Sequence, residues 1–430
     1  MSTHSQKRLS TSKSGNDVSL PWTPDFDLIC EERFGIHIDD FIPELIFEKK
    51  EGISKARYIY HGLVCELFTE AFTDNCGNWC EKHGLNMTGH MLQEDSLGSQ
   101  TGHNGEVMRA YRRFHIPGID MLCGAHNYTT AKQCQSAVHQ YGREGMMSEL
   151  YGVTDWDFDF RGHKHHGDWQ AALGVTVRVP HLAWMSMYGE SKRDYPASIF
   201  YQSPWYKEYP YIEDHFARLS TVLTRGEPCV DVAVIHPVEN YWLHWGPYEN
   251  TGSARERLES DFTNITEWLL FGGIDFDFIS ESLLPELYDG SSGNELTVGK
   301  MKYKAVVVPA LETMRGTTLK VLEDLKNAGG ALIFMGDMPH YIDAKPSDAA
   351  RQLYDASEKI HTDRAELLAA LSGFRRVETR NSGGDLTKEY LYNYRKNDNG
   401  RDWLFICRGK ERPSGKVYCA KYHLPEELTI

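Results

Sequence analysis

Between residues 25 and 83 apolar positions recur with a helical period, and the amphipathic stretches run Asp25 to Phe34, Ile42 to Glu48 and Lys55 to His83. No strand is expected there. From Gly84 the pattern changes to short apolar runs separated by helical stretches. The runs are Leu85 to Leu92, Gly118 to Cys123, Gly145 to Leu150 and Val175 to Met187, with Pro180 interrupting the last. Helices fit at Glu106 to His115, Thr130 to Tyr141 and Gly167 to Leu173. Strands alternating with helices imply βαβ units and a parallel sheet.

A linker at Arg225-Gly226-Glu227-Pro228 precedes a second alternation. Strands are expected at Val230 to His236, Ile274 to Phe278, Tyr303 to Val308 and Gly330 to Met335. Helices are expected at Ala254 to Phe271, Thr317 to Ala328 and within Asp348 to Ser372. This is a doubly wound, flavodoxin-like layout. The last segment changes again: Phe374 to Thr379, Tyr390 to Tyr394 and Trp403 to Arg408 read as antiparallel strands, with a hairpin turn at Asn397-Asp398-Asn399-Gly400. The expected organisation is a tail at 1–19, an α/β portion at 20–226, a flavodoxin-like domain at 227–372, and an antiparallel segment at 373–430 that resembles the start of a β-sandwich.

Composition narrows the function classes. A formal net charge of −15 with no Lys/Arg-rich tract makes nucleic acid and anionic membranes poor partners. No apolar run is long enough to span a bilayer, and Met1 to Ser19 lacks the hydrophobic stretch of a secretory signal, so it reads as a disordered tail. The nine Cys are scattered, with Cys76 and Cys80 the only close pair, which argues for free thiols in a reducing cytoplasm and against a zinc site.

In parallel α/β sheets, active residues gather at the carboxyl ends of strands. That rule selects Glu94 and Asp95 with His90 on the first strand, His126 and Asn127 after the second, and Glu149 with Tyr151, Asp155 and Trp156 on the third. The fourth offers His181 and Trp184, then Tyr188, Glu190, Lys192, Arg193 and Asp194. One mouth would hold carboxylates, imidazoles and aromatic rings. Glycoside hydrolysis needs two carboxyl groups flanking the scissile bond, together with hydroxyl-binding groups and a stacking surface. Glu149 and Glu94 are the catalytic candidates; His90, His126, Asn127, Tyr151, Trp156, His181, Trp184, Lys192 and Arg193 are the substrate-binding candidates. His163, His165 and His166 do not share a helical face, so no metal is assigned to them.

The same residues carry a family resemblance. Met147-Ser148-Glu149-Leu150-Tyr151-Gly152, Asp155-Trp156, Gly167-Asp168-Trp169-Gln170, and Lys192 to Pro196 through Tyr201-Gln202-Ser203-Pro204-Trp205 resemble the later barrel strands of large bacterial glycoside hydrolases. The nearest group is the family 106 α-L-rhamnosidases. The family 42 β-galactosidases share the plan of a barrel followed by a glutamine-amidotransferase-like α/β domain. The resemblance covers roughly residues 20–340 and implies the C-terminal part of a (β/α)8 barrel. It places Glu149 at the end of the seventh barrel strand, the nucleophile in retaining enzymes of such clans, and Glu94 at the end of the fifth.

One departure is plain. Relatives carry a Thr-Asp-Glu-Pro-like motif with the proton donor shortly before the segment matching Pro21-Trp22-Thr23-Pro24; here Lys13-Ser14-Gly15-Asn16-Asp17 holds that place. Four strands precede Pro228, half of a barrel, so a partial chain and a homo-oligomer are both expected. The implied substrate is a glycoside or oligosaccharide. No cofactor is expected, although family 106 enzymes are associated with calcium. The rival to hydrolysis is a non-catalytic carbohydrate-binding protein. Glutamine amidotransfer is disfavoured, because no Cys follows Ala331 to Met335 or Val308-Pro309-Ala310 as nucleophile.

Overall fold

The computed structural model describes residues 20–47, 52–154, 156–189, 199–397 and 399–410. Lys192 and Arg193, and the expected tail at 1–19, lie outside the described residues. The first helical region holds Phe26–Phe34, Ile42–Ile46 and Lys55–Thr69, the last continuing through a π-helical turn into Asn75–Lys82. Ser54 starts the long helix by accepting the Arg57 N–H on its hydroxyl.

Four parallel strands follow in spatial order β1 (Thr88–His90), β2 (Ile116–Met121), β3 (Met146–Leu150) and β4 (Val175–Pro180). Helices make the crossovers. The second, Tyr128–Tyr141, is capped by the Asn127 side chain and stopped by Gly142 in the left-handed region. The third, Phe160–Ala172, is capped by Asp159 and begins seven residues before its expected start at Gly167. The first differs from expectation. Glu106 to His115 is only a helical turn, Val107–Ala110, and a 3-10 turn, Tyr111–Arg113. A separate helix occupies Leu97–His103, whose two glycines and polar residues gave no helical signal. It is held from outside, because Glu259 accepts the Leu97 and Gly98 N–H groups at 3.0 and 2.6 Å.

The sheet has two unlike faces. Ile119, Met121, Met146, Ser148 and Leu150 are fully buried on the helix side. The other face carries His90, Gly118, Asp120, Met147 and Glu149, then Val177 and Val179, which remain 38% and 44% exposed. A β-bulge sets this alternation on β4: Met146 pairs with Val175 but Met147 pairs with Val177, leaving Thr176 as an extra residue. Arg178 is thereby turned to the helix side, where it bonds the Tyr151 hydroxyl and lies 3.9 Å over the Phe216 ring.

A second parallel sheet contains Val232–Ile235, Phe276–Ile279, Ala305–Val308, Ala331–Met335 and Glu358–Ile360. Numbered along the chain, its spatial order is 2-1-3-4-5. The fifth strand lies inside the span expected to be helical, between short helices at Arg351–Asp355 and Arg364–Ala370. The expected strand at Phe374–Thr379 is absent. A 3-10 turn, Ser372–Phe374, leads to a single bridge between Arg380 and Leu386. Individual side chains fix this stretch: Arg375 donates to the Gly272 carbonyl and Arg376 pairs with Asp231. Tyr390–Lys396 and Asp402–Arg408 form the expected antiparallel hairpin.

One apolar cluster runs from Met91 to Cys407 through both sheets. Charges are buried within the seam. Lys132, fully buried on the Tyr128–Tyr141 helix, lies 2.8 Å from Asp275 and 3.6 Å from Asp277. His139 reaches Asp277 at 3.0 Å. Burial opposes the Asp277 charge, but His139 and Lys132 outweigh it and hold this carboxyl below its ordinary range.

Candidate active site

The carboxyl ends of β1 to β3 are backbone outliers. Gln93, Cys123, Tyr151 and Val153 have φ of 58°, 61°, 72° and 60°. Non-glycine residues rarely adopt these values, β-branched ones least of all, and such residues cluster at functional sites. The same rim holds an ionic cluster. Asp120 and Glu149 are register partners on adjacent strands, so their side chains rise from one face side by side. His90 Nε2 is 2.6 Å from Glu149 Oε2, and His181 Nε2 is 3.7 Å from Glu149 Oε1. Gly152 brings His181 in: a Cβ there would come within 3.2 Å of the His181 ring base and 2.8 Å of Leu122.

The proton positions follow from the hydrogen bonds. His90 Nδ1 is 3.0 Å from the Met91 carbonyl, which can only accept, so Nδ1 carries a proton. Nε2 then faces a carboxylate at 2.6 Å, and a second proton is needed between them. Burial opposes a charge on His90, but the Met91 carbonyl, Glu94, Glu149 and Asp120 outweigh it and raise its pKa. The contact joins the Glu149 carboxyl to an imidazole whose charged form its surroundings favour.

Its acidic neighbours are pushed the other way. Burial, together with the Glu149 charge, raises the Asp120 pKa. Glu94 is 3% exposed, and burial lifts its pKa to about 8 although the Tyr111 hydroxyl and the Asp120 N–H both donate to it, at 2.5 and 2.8 Å. Glu149, the register partner of Asp120, and Glu94, which accepts the Asp120 N–H and favours its neutral form, thus stand on either side of Asp120.

The structure places the other candidates as follows. Trp156 is half-buried and meets the buried Trp184 edge to face at 5.2 Å. Tyr151 is buried, and its hydroxyl donates to the His163 carbonyl while accepting from Arg178. Asn127 spends its carbonyl oxygen capping a helix. The His126 ring stacks on Trp169, and its Nε2 lies 3.1 Å from His165. His163 bonds the Asp159 carbonyl and His166 that of Met121, so the three histidines of that helix point to different partners. Sequence reasoning passed over Asp120. Its signal was a carboxylate two residues after Gly118, in an otherwise apolar run and on the same face.

Among the described residues no helix is long and apolar enough to cross a membrane. No family model matches the chain, and no curated protein matches it. Solved structures do. A rhamnosidase from Novosphingobium sp. PP1Y superposes with a TM-score of 0.67 at 16% identity, over 90% of this chain and 38% of that one. A family GH42 exo-carrageenase from Bacteroides ovatus gives 0.60 at 12% identity, over 92% and 58%. A β-galactosidase from Rahnella sp. R3 gives 0.54 at 11% identity, over 90% and 58%. The chain has the mixed α/β fold of part of a TIM-barrel glycoside hydrolase. It spans between about two fifths and three fifths of the length of these structures.

Proposed function

We propose that the chain carries the C-terminal part of a glycoside hydrolase barrel, acting on a rhamnoside- or galactoside-like substrate through Glu149. The observation that carries this reading is the His90–Glu149 contact on the strained rim of β1 to β3. His90 at 2.6 Å, raised toward its charged form, gives the Glu149 carboxyl the partner expected of a nucleophile or a base for water and not of a proton donor. Glu94 is too deeply buried to meet a sugar ring, and its contribution is to accept the Tyr111 hydroxyl and fix the backbone of Asp120. Asp120, His181 and Trp156 face the substrate. The likeness to a rhamnosidase and to β-galactosidases supports a carbohydrate as ligand. The 2-1-3-4-5 sheet is the counterpart of the amidotransferase-like domain of those enzymes, and with no Cys at its strand ends it acts as a support.

Aryl-glycoside hydrolysis by the purified chain tests the proposal. Glu149→Gln is expected to lower turnover by about 10³-fold or more while leaving substrate affinity nearly intact. In a retaining enzyme, external azide restores turnover to Glu149→Ala by attacking in place of the carboxylate. Oligosaccharide binding in calorimetry with no turnover would overturn the hydrolase reading in favour of a carbohydrate-binding protein.

A further inference from the structure

We propose a second ligand site, a pocket for a small phosphate monoester, at the crevice between the Lys55–Thr69 helix and the carboxyl ends of the second sheet. In a sheet of order 2-1-3-4-5 the connections leave in opposite directions from strands one and three, and ligands bind outside their carboxyl ends. Here Glu239 follows strand one, Glu281 follows strand two and Arg315 follows strand three. Arg315 Nε donates to Glu239 at 2.8 Å and its backbone N–H donates to Glu281 at 2.7 Å, so this residue, through side chain and backbone, bridges the switch point. A cavity of about 550 Å³ opens beside it, floored by the buried Trp242.

The lining is unusually cationic for a chain of net charge −15. Arg33, Lys55, Arg109, Arg315 and Lys345 face the cavity, against Glu66 and Asp343. Glu106 and Glu239 hold Arg109 and Arg315 from the protein side, and Glu66 on the cavity wall bonds Arg109 Nη1 at 3.3 Å. Arg109 is only 2% exposed, yet its Nη2 makes no hydrogen bond; it sits 3.0 Å from Glu106 outside bonding geometry. The Arg315 terminal nitrogens bond no described residue, and neither Lys55 nor Lys345 has an ion-pair partner among the described residues. Lys55 moreover opens a helix, where a cation opposes the helix dipole. Lys345 is delivered by a two-residue hairpin turn at Asp343-Ala344, both left-handed as such turns require.

The open terminal nitrogens of the half-buried Arg315, with the Arg109 charge behind them and two ammonium groups at the rim, match a dianionic oxyanion with three acceptor oxygens. The acidic surface elsewhere repels polyanions and leaves this cavity to small ones. The site is independent of the barrel chemistry.

Calorimetry with inorganic phosphate, phenyl phosphate and acetate tests it. The two phosphates are expected to bind saturably at one site, phenyl phosphate no weaker than phosphate, with acetate at least about tenfold weaker. The Lys55→Gln/Lys345→Gln variant, whose side chains support no other contact, is expected to lose at least about tenfold in affinity at an unchanged melting temperature. Lys302→Gln, on a different basic cleft, is expected to change nothing. No saturation below about 10 mM phosphate, equal binding by the Lys55/Lys345 variant, or loss in Lys302→Gln alone would each overturn the proposal.

Discussion

The two parallel sheets are built from the same units and solve different problems. Every residue of Val232–Ile235, Phe276–Ile279 and Ala305–Val308 is buried, the pattern of a sheet covered on both faces. The sheet β1 to β4 is covered on one face only. Its open face alternates polar and apolar groups and ends in the His90, Asp120 and Glu149 cluster. The lesson is that only one of the two sheets leaves its inner surface free for chemistry, and it is also the one whose strand ends are strained.

The comparison can be broken at several points. The largest effect is expected in the covered sheet. Val307→Asp places an unpaired carboxylate at a fully buried position and should cost about 4 kcal/mol or more, seen as loss of the folded state in urea melts. Next is the seam between the sheets. Lys132→Met leaves the fully buried Asp277 with His139 as its ionic partner beside the Tyr303 hydroxyl and should cost about 3–5 kcal/mol, provided the two sheets unfold as one unit in those melts.

A smaller effect is the pH dependence from Glu94 and Glu281, whose pKa values burial raises to about 8. The folded state then binds protons that the unfolded chain has released, so stability falls as pH rises toward 8 and levels off above it. His61, His166 and His236, depressed by burial, act in the opposite sense below their ordinary pKa. Above pH 6.5 those histidines no longer contribute, and His90, whose pKa is raised, adds to the same fall. There each carboxyl contributes a slope of up to about 1.4 kcal/mol per pH unit, and Glu94→Gln should remove its share in urea midpoints measured across that range. The smallest effect is on the open face. Val179→Asp should change stability by about 0.5 kcal/mol or less. A cost near that of Val307→Asp would mean that this face is covered in solution.

Much of this was legible in the chain. β1 to β4 and the second sheet's first four strands announce themselves as apolar runs, and the strand-end rule reached Glu149, His90 and His181 together. What was hidden depended on distant partners. Leu97–His103 is helical because Glu259 anchors its first turn from more than a hundred residues away. The short Glu358–Ile360 strand is exposed or half-exposed, so no apolar run marks it, and it exists through pairing with Ile333 to Met335. Tyr151 and Trp184 sit at the right places in the sequence, but their rings turn into the protein; nothing local records that direction. Glu94 looks like an exposed strand-end acid until Tyr111 and Asp120 close over it.

The extra residue at Thr176 has a wider consequence. Were Thr176 paired in the ladder instead of bulged, β4 would turn over, Glu149 would face Arg178, and the valines now in the opening would go to the helices. A guanidinium at that spot would neutralise the carboxylate outright. The electrostatic identity of the whole mouth thus rests on one bulge in an outer strand: ironing it out with Thr176 kept in the ladder would rewrite it, whereas deleting Thr176 would straighten the strand and leave Val179 opposite Glu149.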